Sequence, residues 1–198
     1  MHEQHYEPND EYIKGLRQRL KGAQKQLENM AQREKELGEK NKTEGAKFLE
    51  ENKKKPGVKT TASGLQYKVE KEGTGAQPKP TDIVTWTYHI SSIDGTEFDA
   101  YNAGRPTSLA VNSGMKGWTK EAGKAWGEAL QEMKVGSKYQ VFVPSNFAYG
   151  ERSAGEIGPN ATLIFDVELL DAKPRPTFPQ QGAPLFPQAA PKASPSPK

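Results

Sequence analysis

Apolar residues in the first quarter of the chain fall at Ile13, Leu16, Leu20, Ala23, Leu27, Met30 and Leu37, at alternating steps of three and four interrupted only by Glu34. That spacing holds one narrow stripe on a helix face, the a/d seam of a coiled coil or a helical hairpin, and such a stripe needs a partner helix to cover it. Residues 10–55 are mostly Glu, Lys, Gln, Arg, Leu and Ala, with no proline. They predict a long helix, broken at most once and weakened by Gly15, Gly22 and Gly38. The seam fades after Leu37. Residues 43–52, with Phe48 and Leu49, predict a second short helical piece that stops at Lys53, Lys54 and Lys55 before the breakers Pro56 and Gly57.

Beyond Pro56 the period changes to two. Val84, Trp86, Tyr88 and Ile90 alternate onto one face of a predicted strand over residues 83–90, and Asp94-Gly95 turns the chain back through Phe98. Residues 138–143 and 162–170 repeat the alternation, the latter with Leu163, Phe165, Val167 and Leu169 on one face. Between them residues 125–133 space Trp126, Ala129, Leu130 and Met133 as the apolar face of a short helix. The fold class is α+β, an antiparallel sheet packed on one short helix. From Lys173 onward eight of 26 residues are proline, so this segment is expected to be an extended, disordered tail. Its Pro-Leu-Phe-Pro and Pro-Ser-Pro pieces have the composition of ligands for proline-binding modules. The division is thus a helical arm over 1–55, a β-rich domain over 56–172 and a Pro-rich tail over 173–198.

Composition narrows the chemistry. The 28 basic and 25 acidic residues are spread along the chain, leaving a net +3 with no dominant basic face for nucleic acid. The absence of cysteine removes thiol chemistry and cysteine-ligated zinc, and of His2, His5 and His89 only the last lies in the β-rich domain. Strand alternation puts His89 on the face opposite Tyr88, so a proton-relay role is not expected. No apolar run approaches a membrane span, and the start lacks the basic and apolar regions of a signal peptide, which predicts a cytoplasmic protein, with the periplasm as the alternative. No cofactor or metal is expected.

Four segments then occur in a telling order. They are residues 93–99 (IDGTEFD), 128–136 (EALQEMKVG), 147–150 (FAYG) and 159–170 (PNATLIFDVELL). Together they closely resemble the FKBP-type peptidyl-prolyl cis-trans isomerases over residues 63–171. The preceding stretch 41–64 is similar to the helix-to-domain junction of the bacterial macrophage-infectivity-potentiator branch.

The resemblance implies a twisted antiparallel sheet wrapped around a short helix, with a substrate proline entering an aromatic pocket between them. Carried over by motif, Tyr88, Phe98, Ile157 and Phe165 line the pocket, Asp99 is its edge carboxylate, and Tyr149 of the Ala148-Tyr149-Gly150 motif hydrogen-bonds a substrate carbonyl. Two tryptophans compete for the floor. Residues 111–118 match the approach to it and point to Trp118, with Met115 then offering its backbone N–H. Trp126 has the family's distance to Met133 and shares a helical face with Leu130, which favours it and leaves Trp118 on an inserted loop or over the pocket. Gly158, where relatives carry the first of two prolines, predicts a mobile flap after Tyr149.

The implied activity is acceleration of X-Pro isomerisation during protein folding, without covalent or acid-base steps. The implied partners are proline-containing polypeptide clients, a second copy of the chain through the N-terminal helices, and macrolide inhibitors. A weakly active or inactive binding module, acting as chaperone or adaptor, is the alternative.

Overall fold

The computed structural model describes residues 10–98, 105–111, 113 and 119–176. The N-terminal segment forms one unbroken helix, α1 (Asp10–Asn52), 43 residues long and so about 65 Å from end to end. This corrects the expected break and the separate second piece, and it excludes a hairpin within the described residues. Each interior glycine costs about 1 kcal/mol against alanine. Gly15 and Gly22 sit in a helix with no proline to stop it, while Gly38 and Gly45 are buried against the rest of the molecule.

Among the described residues seven strands follow: β1 (Val58–Thr60), β2 (Gln66–Lys71), β3 (Ile83–Ser92), β4 (Glu97–Phe98), β5 (Thr107–Ala110), β6 (Lys138–Val143) and β7 (Leu163–Lys173). They form one antiparallel sheet in the order β1-β2-β6-β7-β3-β4, with β5 also on β3. The period-two reading of β3 holds. Val84, Trp86, Tyr88 and Ile90 are buried, and the residues between them are half-buried. His89 lies on the outer face, 3.7 Å from Glu97 and 4.0 Å from Asp166. The turn at Asp94-Gly95 is as predicted: Gly95 takes φ 88° and the Asp94 carboxylate accepts the Thr96 N–H at 2.9 Å. β7 extends past Leu170 to Lys173, taking in the first residue assigned to the tail, because Pro174 is the first position with no N–H to donate. Residues 177–198, the bulk of that tail, lie outside the described residues.

A short helix, α2 (Lys120–Glu132), crosses the inner face of the sheet and buries Ala122, Ala125, Trp126, Ala129 and Leu130. It starts five residues earlier than the apolar spacing predicts. Thr119 caps it by accepting the Ala122 N–H at 3.1 Å, and the added turn is built from Ala122 and Gly123, too small to register as an apolar stripe. Residues 120–124, which the apolar spacing left outside the helix, are therefore helical. The core lies between α2 and the inner faces of β2, β3, β6 and β7, centred on Trp86, Trp126, Phe165, Leu130 and Leu169.

Two contacts fix α2 over the sheet. At its middle the Glu128 carboxylate accepts the Ser63 N–H at 2.9 Å and the Ser63 hydroxyl at 2.7 Å, bonds that hold its pKa below the usual range. At its end the Tyr139 hydroxyl donates to the Glu132 carbonyl at 2.9 Å. Tyr139 also stacks on Tyr67, with centroids 5.3 Å apart.

Candidate functional site

Strand register brings the predicted aromatics together. Ile90 of β3 pairs with Phe98 on one side and Phe165 on the other, so Phe98, Ile90 and Phe165 form one row across the inner face. Tyr88, two residues back on the same face, packs on Phe165 at 6.0 Å between centroids. Trp126 comes down from α2 onto this row, edge-on to Phe165 at 5.0 Å and to Trp86 at 5.3 Å, and is 1% exposed. A T-shaped pair sets the positive ring edge against the negative face of its neighbour, which fixes the orientation of the Trp126 ring. Trp86, which strand alternation puts on the same face as Tyr88, supports both Trp126 and Tyr88, the latter at 5.2 Å.

The second wall comes from the segment between β6 and β7. A 3-10 turn over Ser145–Phe147 delivers Ala148, 3% exposed, and then the half-buried Tyr149. The chain next folds into a tight hairpin, with Ala154 and Ile157 exchanging backbone hydrogen bonds of 2.9 and 3.1 Å. Gly155 at the first central position has φ 62°, a left-handed conformation that glycine adopts without strain. The hairpin turns Ile157 inward, leaving it 6% exposed against the core. Tyr88, Phe98, Trp126, Ala148, Tyr149, Ile157 and Phe165 therefore all belong to one cluster. Asp99, Met115 and Trp118 lie outside the described residues.

One feature of this wall escaped the sequence reading. The back of the hairpin rests on α1: Asn41 donates to the Pro159 carbonyl at 2.8 Å, Asn160 to the Gly38 carbonyl at 3.4 Å, and Ser153 to the Glu34 carboxylate. The approach is close enough that a Cβ on Gly158 would fall 2.9 Å from Leu37 Cδ2. Gly158 thus admits the helix, where the sequence suggested only a looser flap. Further along, Phe48 packs on Phe142 at 5.9 Å, and the buried Asn52 donates to Gln66 at 3.0 Å. The signal was present: Gly38, Asn41, Gly45, Phe48 and Asn52 continue the three-four spacing beyond Leu37 in small and polar residues.

Comparison with known proteins matches this geometry. The family described as FKBP-type peptidyl-prolyl cis-trans isomerase covers residues 74–170, and the domain amino terminal to such isomerases covers residues 4–69. The crystal structure of FkpA from Escherichia coli superposes with a TM-score of 0.68 at 35% identity, over 86% of this chain and 76% of that one. The chain belongs to the FKBP-type peptidyl-prolyl cis-trans isomerase family.

Among its family relatives, FKBP-type peptidyl-prolyl cis-trans isomerase FkpA of Aeromonas hydrophila is 50% identical over 66% of this chain and 46% of its own length. Outer membrane protein MIP of Legionella longbeachae is 46% identical over 75% of this chain and 62% of its own. This FKBP-family chain spans about half the length of the curated relatives it matches. No described helix is long and apolar enough to cross a membrane.

Proposed function

We propose that the cluster on α2 and β7 is the site of a peptidyl-prolyl cis-trans isomerase, a folding helper acting on proline-containing polypeptides. One observation carries the reading: Trp126, Phe165 and Tyr88 are locked ring against ring beside a flap that presents Tyr149 and Ile157. Trp126 serves as the floor. Rotation about an X-Pro bond must cross about 18–20 kcal/mol, because resonance is lost in the twisted amide. The twisted amide has less charge separation than the planar one, so an apolar aromatic environment disfavours the planar ground state relative to it. Tyr149 supplies a hydrogen bond to a substrate carbonyl that holds the flanking peptide while the bond turns. No proton, nucleophile or cofactor is needed. Macrolide inhibitors of the family would occupy the same aromatic walls.

The arm over 1–55 serves as the dimerisation region of an isomerase domain over 56–172. On the single chain Leu20, Leu27 and Met30 stand 69, 67 and 66% exposed, and a second copy's helix would cover them. For the compartment, the likeness to Outer membrane protein MIP of Legionella longbeachae favours the periplasmic alternative over the cytoplasm.

The test is a protease-coupled assay of X-Pro isomerisation on a short peptide, with and without a macrolide inhibitor. Inhibitable activity that drops at least tenfold in both Phe98→Ala and Tyr149→Phe supports the site. Unchanged rates in both folded variants would sink it. A silent wild-type domain would return the chain to the binding-module alternative.

A further inference from the structure

We propose that the Phe186-Pro187 pair of the chain's own C-terminal segment enters the aromatic site and holds it partly occupied, so that clients compete with an internal X-Pro segment. The inference rests on the isomerase reading above and adds a regulatory ligand to that site. Three observations carry it.

The first is chemical. Of the eight X-Pro pairs from Lys173 onward, only Phe178-Pro179 and Phe186-Pro187 place a large apolar residue before the proline; the others offer Lys, Arg, Ala or Ser. A site walled by Trp126, Phe165, Tyr88 and Ile157 gains most from an X-Pro unit that brings apolar surface on both residues. Leu185 adds a further apolar neighbour to the second pair.

The second is where the chain leaves the sheet. Phe165 and Lys173 lie on the same strand, with Phe165 opposite Ile90 at the site and Lys173 opposite Ile83 at the far end. Eight strand residues separate them, about 26 Å at 3.3 Å per residue. A segment leaving at Lys173 must double back over roughly that distance to reach the row of aromatics.

The third is length. A fully extended chain of any conformation spans at most about 3.6 Å per residue. The six residues from Lys173 to Pro179 can span at most about 22 Å, short of that distance, and the fourteen to Pro187 at most about 50 Å, which covers it with slack. Reach and chemistry together select Phe186-Pro187 from the eight. A tether of this length places the pair at an effective concentration in the millimolar range, the same order as the weak end of enzyme KM values, so about half or more of the sites are filled at any time.

The experiment uses the full chain and two double variants, Phe186→Ala with Pro187→Ala and Phe178→Ala with Pro179→Ala, assayed on a short X-Pro peptide at several protein concentrations. Release of an internal competitor lowers the apparent KM without touching kcat. A two- to fivefold fall is expected for the 186/187 variant, independent of protein concentration, with no change for the 178/179 variant. Three active chains with equal KM overturn the inference and leave the isomerase assignment standing. Equal falls in both variants, or a fall that grows with protein concentration, also overturn it, because reach within one chain is then not what selects the pair. No turnover in any of the three overturns the isomerase reading and this inference with it.

Discussion

Substitution of Gly45 by alanine separates the two roles that glycine plays in α1. In an isolated helix the change stabilises by about 1 kcal/mol. Docked on the sheet, the new Cβ would lie inside the contact distance of Thr162 Oγ1 and 3.1 Å from Thr162 Cβ, where carbons normally rest at about 3.5–4.0 Å. Thr162 is 5% exposed and β-branched, so its side chain has little freedom to swing aside. Overpacking of this kind costs about 1–3 kcal/mol. Gly45→Ala should therefore range from neutral to about 2 kcal/mol destabilising in urea unfolding followed by the fluorescence of Trp86 and Trp126.

With Thr162→Ala already in place, the Oγ1 obstruction is gone and only the 3.1 Å contact with Cβ remains, so the same substitution should stabilise by up to about 1 kcal/mol. The coupling between the two positions is then up to about 3 kcal/mol. Gly22→Ala is the control: nothing lies within 4 Å of its Cβ, so it should simply raise the helical circular-dichroism signal. If Gly45→Ala stabilises equally with and without Thr162→Ala, α1 does not seat on the flap in solution. The contact between arm and site described above would then be wrong.

Other consequences can be checked separately. Asn52→Ala should cost about 1–3 kcal/mol in the same urea assay, because it leaves the buried Gln66 carbonyl oxygen without its donor. The hydrogen bond from Ser92, reinforced by Thr96, holds the Asp94 carboxyl down at about 2. Its folded-state pKa is depressed, so its contribution is present above the ordinary value of 3.8 and is lost as pH falls towards 2. Carboxyl NMR titration should show this, with Ser92→Ala raising the midpoint. Burial, with help from nearby Glu72, pushes the Tyr139 phenol up to about 12. Here the folded pKa is raised, so stability should decline as pH climbs from about 10 to 12, and Tyr139→Phe should remove that part of the decline in alkaline unfolding curves. Phe165→Ala removes the ring that Trp126 and Tyr88 both pack against. It should cost about 3–5 kcal/mol in thermal or urea unfolding, and activity should be compared only where the variant remains folded.

The sequence by itself determined the parts whose signal is local. β3 and β7 bury alternate residues because a pleated strand between solvent and core admits no other arrangement, so Trp86, Tyr88 and Phe165 could be placed on the inner face from period two alone. A helix in the first quarter of the chain and the turn at Asp94-Gly95 were legible for the same reason, since helix-forming composition and turn chemistry act within a few residues of each other. The ordered motifs around Phe98, Met133, Tyr149 and Phe165 brought the family into view.

The tertiary structure decided what depends on partners distant along the chain. It placed Trp126 edge-on to Phe165, extended α2 back to Lys120 through small residues that give no apolar stripe, and kept α1 continuous through Gly38 and Gly45. Above all it set the second half of α1 against residues 153–162. Apart from Leu37 and Pro159, the residues of that contact are glycine, asparagine, serine, glutamate and threonine, which serve closeness and hydrogen bonding. A hydrophobic pattern passes over such an interface, because the free energy of a close, polar seam lies in the fit between two surfaces and neither strand of sequence carries that fit alone.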